Sequence, residues 1–207
     1  MRVLIADDHA VVRRGLKQIL LDEYGALEVG EASDAHETLR LAREEPWDIV
    51  VLDISMPGRS GLEVLKELKQ TRPRLPVLIL TTHPEEQYAV RVLKAGAAGY
   101  MTKESAPEHL VEAVRKVTAG GRYITPTLAD LLVTQIAGAE KPPHESLSDR
   151  EFQVLRLIAS GKSVGQIAEE LSLSSNTVST YRARVLEKMG MRTNAELTHY
   201  AISNGLV

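Results

Sequence analysis

Three acids stand where apolar runs end. Val3-Leu4-Ile5-Ala6 leads directly into Asp7-Asp8, and Ile49-Val50-Val51-Leu52 leads into Asp53. A short apolar run bounded by turn residues reads as a strand covered on both faces, which puts each acid at a strand's carboxyl end. If these strands are parallel neighbours, the three carboxylates converge on one patch, and like charges that close repel unless a proton or a cation joins them. An oxygen-only cluster suits Mg²⁺, which prefers octahedral oxygen ligands and keeps several waters. The chain has no Cys, no His is expected at ligand spacing beside the three acids, and His9 reads as a surface residue, so a transition-metal site is not expected. Two further strand ends add a hydroxyl, in Leu78-Ile79-Leu80-Thr81, and an ammonium, in Gly99-Tyr100-Met101-Thr102-Lys103. Alone, such a Thr is a cap and such a Lys a solvated loop charge. Together with three acids they describe a phosphoryl site, with a carboxylate nucleophile, a divalent cation, and a hydroxyl and an ammonium for the equatorial oxygens.

The elements that must position these groups follow from periodicity. Val3–Ala6, Leu27–Glu31, Ile49–Leu52, Val77–Leu80 and Ala98–Met101 read as strands, with helical stretches at 10–21, 35–45, 61–71, 85–95 and 107–119. Five alternating units predict an α/β fold, a doubly wound five-stranded parallel sheet with helices on both faces. In open sheets of this kind ligands bind outside the carboxyl ends of the strands. Residues 125–136 can form one more helix, after which Ala137-Gly-Ala-Glu-Lys-Pro-Pro-His144 has linker composition. The expected division is therefore 1–120 for the α/β domain, 121–144 for a linker with a helix, and 145–207 for a second domain.

Composition bounds the alternatives. A chain of 207 residues, 43% hydrophobic and 26% charged, can bury a full core and hold two domains. No apolar stretch approaches the roughly 18 residues that cross a bilayer, and Met1-Arg-Val-Leu-Ile-Ala-Asp7 lacks the apolar core of a signal peptide. With no cysteines to form disulfides, the expected location is the cytoplasm, with no membrane partner. A net charge of −3 gives no global hint of nucleic acid, so any such signal must be local.

Beyond residue 144 nothing reads as a strand. Ser148-x-x-Glu151, Ser163-x-x-Gln166 and Thr193-x-x-Glu196 have capping-box spacing, which marks three helix starts. A fourth helix starts at Ser174 or Ser175 and runs through Met189. Only Ser172-Leu173-Ser174 separates it from the segment 164–171, so the second domain is all-α and the pair predicts a helix-turn-helix. On a helical wheel Val178, Tyr181, Val185 and Met189 share one face, leaving Asn176, Ser179, Thr180 and Ala183 on the other, where they could enter a major groove. Residues 145–207 hold seven Lys and Arg against seven Asp and Glu, which keeps open a protein-binding helical bundle. Within 176–192, however, Arg182, Arg184, Lys188 and Arg192 face only Glu187, a local excess suited to phosphates.

At this point the residues carry a family resemblance. Asp7-Asp8, Asp53 followed by Met56-Pro57-Gly58, Thr81, Tyr100 and Lys103 resemble the flavodoxin-like receiver domain of two-component response regulators of the NarL/FixJ type. Leu147-Ser-Asp-Arg-Glu151, Ile167-Ala-Glu-Glu-Leu171 and Thr177-Val-Ser-Thr-Tyr-Arg182 resemble the LuxR-type helix-turn-helix. The resemblance implies that Asp53 accepts a phosphoryl group from a partner histidine kinase. Asp8, Asp53 and the Ser55 carbonyl would ligate Mg²⁺, with Asp7 assisting through water. Thr81 and Tyr100 would be the switch pair, and Thr81 and Lys103 would contact the phosphoryl oxygens. It further implies a homodimer when phosphorylated, double-stranded operator DNA contacted through Asn176, Thr177, Ser179, Thr180, Arg182, Ala183, Arg184 and Lys188, and RNA polymerase as a further partner. The only chemistry would be self-phosphotransfer and slow autodephosphorylation. Many receivers have a Lys-Pro with a cis bond where this chain has Lys103-Glu104, and a cis non-proline peptide costs roughly 2.5–4 kcal/mol. Relatives also often carry Lys on the groove-facing side, where Ser179 and Ala183 are uncharged, so no target sequence carries over. Two other classes fit less well. Phosphatases with an Asp nucleophile place a second Asp two residues on, where Ser55 stands, and flavodoxins have a hydroxyl-rich loop in place of Asp7-Asp8-His9.

Overall fold

Four consecutive β-branched or Leu side chains, Ile49–Leu52, can be buried only in a strand covered on both sides, and this run forms the centre of the sheet. The computed structural model describes residues 1–56, 59–136 and 142–207, so the Pro57-Gly58 break and residues 137–141 of the linker lie outside the described residues. Strands β1 (Arg2–Ala6), β2 (Glu28–Ala32), β3 (Ile49–Leu52), β4 (Val77–Thr81) and β5 (Gly99–Thr102) pair in parallel in the order β2-β1-β3-β4-β5. Helices α1 (Ala10–Tyr24), α2 (Ala35–Glu44), α3 (Gly61–Thr71), α4 (Glu85–Lys94) and α5 (Ala106–Thr118) make the crossovers and cover both faces. Leu16 and Leu20 of α1 join Leu110 and Val114 of α5 over Val3, Ile5, Val51 and Leu78. Leu4, Val50, Leu52 and Ile79, which alternate with those strand residues, are equally buried beneath the opposite helices. The fold is the doubly wound five-stranded parallel sheet that the alternation predicts.

By contacts the chain divides into two units, Met1–Asp130 and Leu131–Val207. Residues 121–130, expected in the linker segment, group with the sheet because the Tyr123 amide donates to the Ala98 carbonyl at 2.9 Å and both Tyr123 and Leu128 are buried. The division falls inside α6 (Pro126–Ile136).

The second unit is helical, with a 3₁₀ turn at Pro143–Ser146 that the sequence reading did not include, then α7 (Asp149–Ala159), α8 (Val164–Leu171), α9 (Ser175–Met189) and α10 (Asn194–Ser203). All three expected capping boxes form: Ser148 with Glu151, Ser163 with Gln166, and Thr193 with Glu196. Ser174 caps α9 by accepting from the Thr177 amide. The turn between α8 and α9 is made by Ser172, the single non-glycine residue with positive φ (53°) among the described residues, and by a Leu173 amide that donates to the Ala168 carbonyl at 2.8 Å.

One glycine fixes how the site's strand turns into its helix. A Cβ at Gly61 would lie 2.0 Å from the Asp53 carbonyl oxygen, while its amide donates to the Ile54 carbonyl at 3.0 Å. Gly61→Ala should therefore cost about 1–3 kcal/mol in urea denaturation, as overpacking does. Gly15→Ala, on α1 with open space around it, should instead gain about 0.5–1 kcal/mol.

Candidate functional site

Parallel pairing carries the sequence-predicted residues to one sheet edge. The ladder runs one residue past the strands: the Asp7 amide donates to Ala32 O (3.1 Å), the Asp53 amide to Ala6 O (2.8 Å), and the Lys103 amide to Thr81 O (2.8 Å). Side chains that follow β1, β3 and β5 are thereby fixed relative to one another. Asp7 and Asp53 are each only 1% exposed. The Lys103 ammonium lies 2.7 Å from Oδ2 of both, and Asp53 Oδ1 accepts from the Ser55 amide at 3.0 Å. The Lys103–Glu104 peptide is trans, as is every peptide bond among the described residues, and Lys103 reaches both acids from there.

Charge and burial oppose each other here. Burial pushes the Asp53 carboxyl up; Lys103 and the Ser55 amide pull it down and the neighbouring Asp7 pushes it up again, leaving it above the ordinary aspartate value. Burial alone would lower the Lys103 ammonium, but hydrogen bonds to Asp53 and Asp7 hold it above the usual lysine value.

Around this core the remaining residues fall as follows. Thr81 is buried at the end of β4, its Oγ1 accepting from the His83 amide at 3.4 Å. Tyr100 is wholly buried, and its hydroxyl donates to the carbonyls of His83 (2.8 Å) and Pro84 (3.2 Å), gripping the loop into α4. The sequence reading missed a link between Ser55 Oγ and His83 Nε2 at 3.1 Å; both residues stand two places after a site residue, which is the signal that could have found it. His9 needs a correction. Its ring is 64% exposed, as a surface residue should be, yet Nδ1 lies 2.8 Å from Asp8 Oδ1, and Asp7, Asp8, His9 and Asp53 offer ligand atoms within 4.8 Å of one another. The chain bends at Asp8, and Asp7 Oδ1 accepts from the His9 amide at 2.8 Å, which holds the ring beside the acids. For a divalent cation the donor set fits: among the described residues Asp7 Oδ2 and Asp8 Oδ1 are shielded from solvent, the first beside only the ammonium it shares with Asp53 and the second beside only the His9 ring.

In the second unit the helical wheel of α9 holds. Val178, Val185 and Met189 are buried and Tyr181 is half-buried, while Asn176, Ser179, Thr180, Ala183 and Arg184 are exposed. Thr177 is half-buried at the capped end. Two of the expected phosphate contacts have partners within the unit, which charge counting could not reveal. Arg182 Nε donates to Asn194 Oδ1 at 2.6 Å and Lys188 Nζ to Glu151 Oε2 at 2.7 Å.

A receiver-domain model of response regulators matches residues 3–115, and the model of bacterial regulatory proteins of the luxR family matches residues 145–201. The chain belongs to the response regulators, in the subgroup that joins a receiver to a LuxR-type DNA-binding helix-turn-helix, an organisation of transcription regulators. Among its relatives, the response regulator UvrY of Escherichia coli is 39% identical over 208 residues, covering 100% of this chain and 95% of that protein. The response regulator GacA of Pseudomonas aeruginosa is 40% identical over 209 residues, covering 100% and 98%. Among solved structures, RcsB from Salmonella enterica serovar Typhimurium bound to promoter rprA with the phosphomimetic BeF3⁻ superposes with a TM-score of 0.65 at 29% identity, over 98% of this chain and 99% of that one. Among the described residues no helix is long and apolar enough to cross a membrane.

Because Asp53 titrates higher folded than unfolded, its ionised form costs stability at neutral pH, and that cost fades as pH falls and the folded carboxyl takes a proton. Asp53→Asn should therefore raise the thermal midpoint at pH 7, with the difference from the parent closing toward about pH 4. Lys103→Met should do the reverse, costing about 3–5 kcal/mol by leaving two buried acids unpaired.

Proposed function

We propose that Asp53 is the phosphoacceptor of this response regulator and that its modification by a histidine kinase controls binding of α9 to operator DNA. The observation that carries this reading is the single ammonium of Lys103 held between Asp7 and Asp53 at the sheet edge. An Asp53 oxygen would form the new P–O bond as the P–N bond to the kinase's histidine breaks. Lys103, already on Asp53 Oδ2, is placed to follow the charge onto the phosphoryl oxygens, and the Thr81 hydroxyl to bind another. Asp8, Asp53 and the Ser55 carbonyl, with Asp7 through water, would hold Mg²⁺, which supplies positive charge to the incoming phosphoryl group. Slow hydrolysis of the resulting acyl phosphate would reset the protein.

In this reading residues 1–120 are the receiver, 121–144 the linker and 145–207 the DNA-binding domain, and the protein acts in the cytoplasm. Tyr100 holds the carbonyls that lead into α4, so a pull on Thr81 by the phosphoryl group would be felt by the same loop. One helix-turn-helix buries little DNA surface, and useful specificity comes from two copies on half-sites about one helical turn apart. A homodimer formed on phosphorylation would supply the second copy, placing Asn176, Ser179, Thr180 and Ala183 in successive major grooves, with RNA polymerase as the downstream partner.

Incubation with labelled acetyl phosphate and Mg²⁺ tests the chemistry. Asp53→Asn should incorporate nothing, while Asp34→Asn, which removes a charge at the cap of α2 and keeps the capping oxygen, should label like the parent; undiminished labelling of the Asp53 variant would sink the assignment. The switch has its own test. Thr81→Ala and Tyr100→Phe should still be labelled but gain little DNA affinity on phosphorylation, measured by gel shift. A full gain in both would send the coupling elsewhere.

A further inference from the structure

Arg182, Arg184, Lys188 and Arg192 make the local positive charge of α9 and the turn after it, and the DNA reading offers all four to phosphates. Their surroundings divide them. Arg184 and Arg192 are exposed and have no ion-pair partner among the described residues. Arg182 is held by Asn194. Lys188 is bound to Glu151, a carboxylate 3% exposed whose Oε2 also accepts the Ser148 amide at 2.8 Å.

Glu151 thus does two things with one oxygen: it closes the capping box of α7 and receives a cation from α9. A buried carboxylate needs its counter-charge, and withdrawing Lys188 toward a phosphate would strand it. Burial pushes the Glu151 carboxyl up, but Lys188 and Ser148 outweigh that and hold it below the usual glutamate range, so it is charged at neutral pH. Lys188 is itself partly open to solvent, but it adjoins buried Met189 and stands one turn after buried Val185, so its ammonium reaches the buried Glu151 along the edge of the face by which α9 packs inward. We infer that Glu151 and Lys188 are a positioning pair that sets the rotation of α9 against α7, while Arg184 and Arg192 make the phosphate contacts. This rests on the DNA-binding reading above.

The test uses the full chain with acetyl phosphate and Mg²⁺, a duplex that the parent selects from random DNA, and anisotropy titrations over a range of salt. Arg184→Ala and Arg192→Ala should each flatten the log-affinity against log-salt slope by about one. Lys188→Met and Glu151→Gln should each weaken binding several-fold at the parent's slope, and the double variant should be no weaker than the weaker single one. Gln also serves at the third position of a capping box, so Glu151→Gln keeps the helix start, and Lys188→Arg should restore parent affinity. A slope lowered by about one in Lys188→Met, with parent-like binding by Glu151→Gln, would make Lys188 a phosphate contact and overturn the inference. So would additive losses, or loss of helical circular dichroism in both variants, which would make the pair a prop for the fold. If the parent selects no duplex with salt-dependent affinity, the DNA reading fails and the inference falls with it.

Discussion

Two carboxylates cannot be buried side by side in ionised form without a cation between them, and in this chain that cation is Lys103. The demand reaches back through the sheet. Asp7 follows β1 and Asp53 follows β3 at the same level, and β5 runs two residues further before Lys103, so the register of three strands must hold for one ammonium to reach both acids. A one-residue slip of any of them would turn its terminal side chain to the opposite face. The order β2-β1-β3-β4-β5 is then more than a packing solution, because it sets the acids on adjacent strands and the lysine two strands away, with Thr81 on the strand between. Asp53 is left protonating more easily than an exposed aspartate, held in readiness by a charge it shares with Asp7.

How much of this could be read in advance depends on the range of the interaction. Ile49–Leu52 is apolar at every position, which only a doubly covered strand permits, and the acid, hydroxyl and lysine at successive strand ends were visible as types and positions. The shared ammonium was not, since nothing in a linear string says that Lys103 meets Asp7 across 96 positions. The His9 ring was misjudged for a related reason: exposure and proximity to the acids are independent, and the bend at Asp8 with the Asp7 side chain on the His9 amide allows both. Residues 121–130 were grouped with the linker because no strand or helix of the five alternating units claimed them, while Tyr123 is tied to the sheet by its amide on the Ala98 carbonyl, by a bridge to Gly99 and by burial.

In the helical unit, local signals were read well because they are local. A capping box spans four residues, and all three formed as spaced. Net charge along α9 was legible too, but its employment was not, because Lys188 finds Glu151 37 positions away and Arg182 finds Asn194 12 positions away. A count of cations measures what is available to a ligand only after the chain has taken its own share.

Ser172 has a longer consequence. The angle between α8 and α9 is set by its left-handed backbone and by the Leu173 amide on the Ala168 carbonyl, neither of which involves the exposed side chains of α9. Asn176, Ser179 and Ala183 donate no side-chain hydrogen bond to the fold among the described residues, and the Thr180 hydroxyl returns only to its own helix at Asn176 O, 3.0 Å away. Those four positions are therefore open to inheritable change at little cost to folding. On the reading proposed for α9, a lineage could retarget such a protein to new promoters by drifting through these positions while the cluster of Asp7, Asp53 and Lys103, in the other unit, stayed as it was.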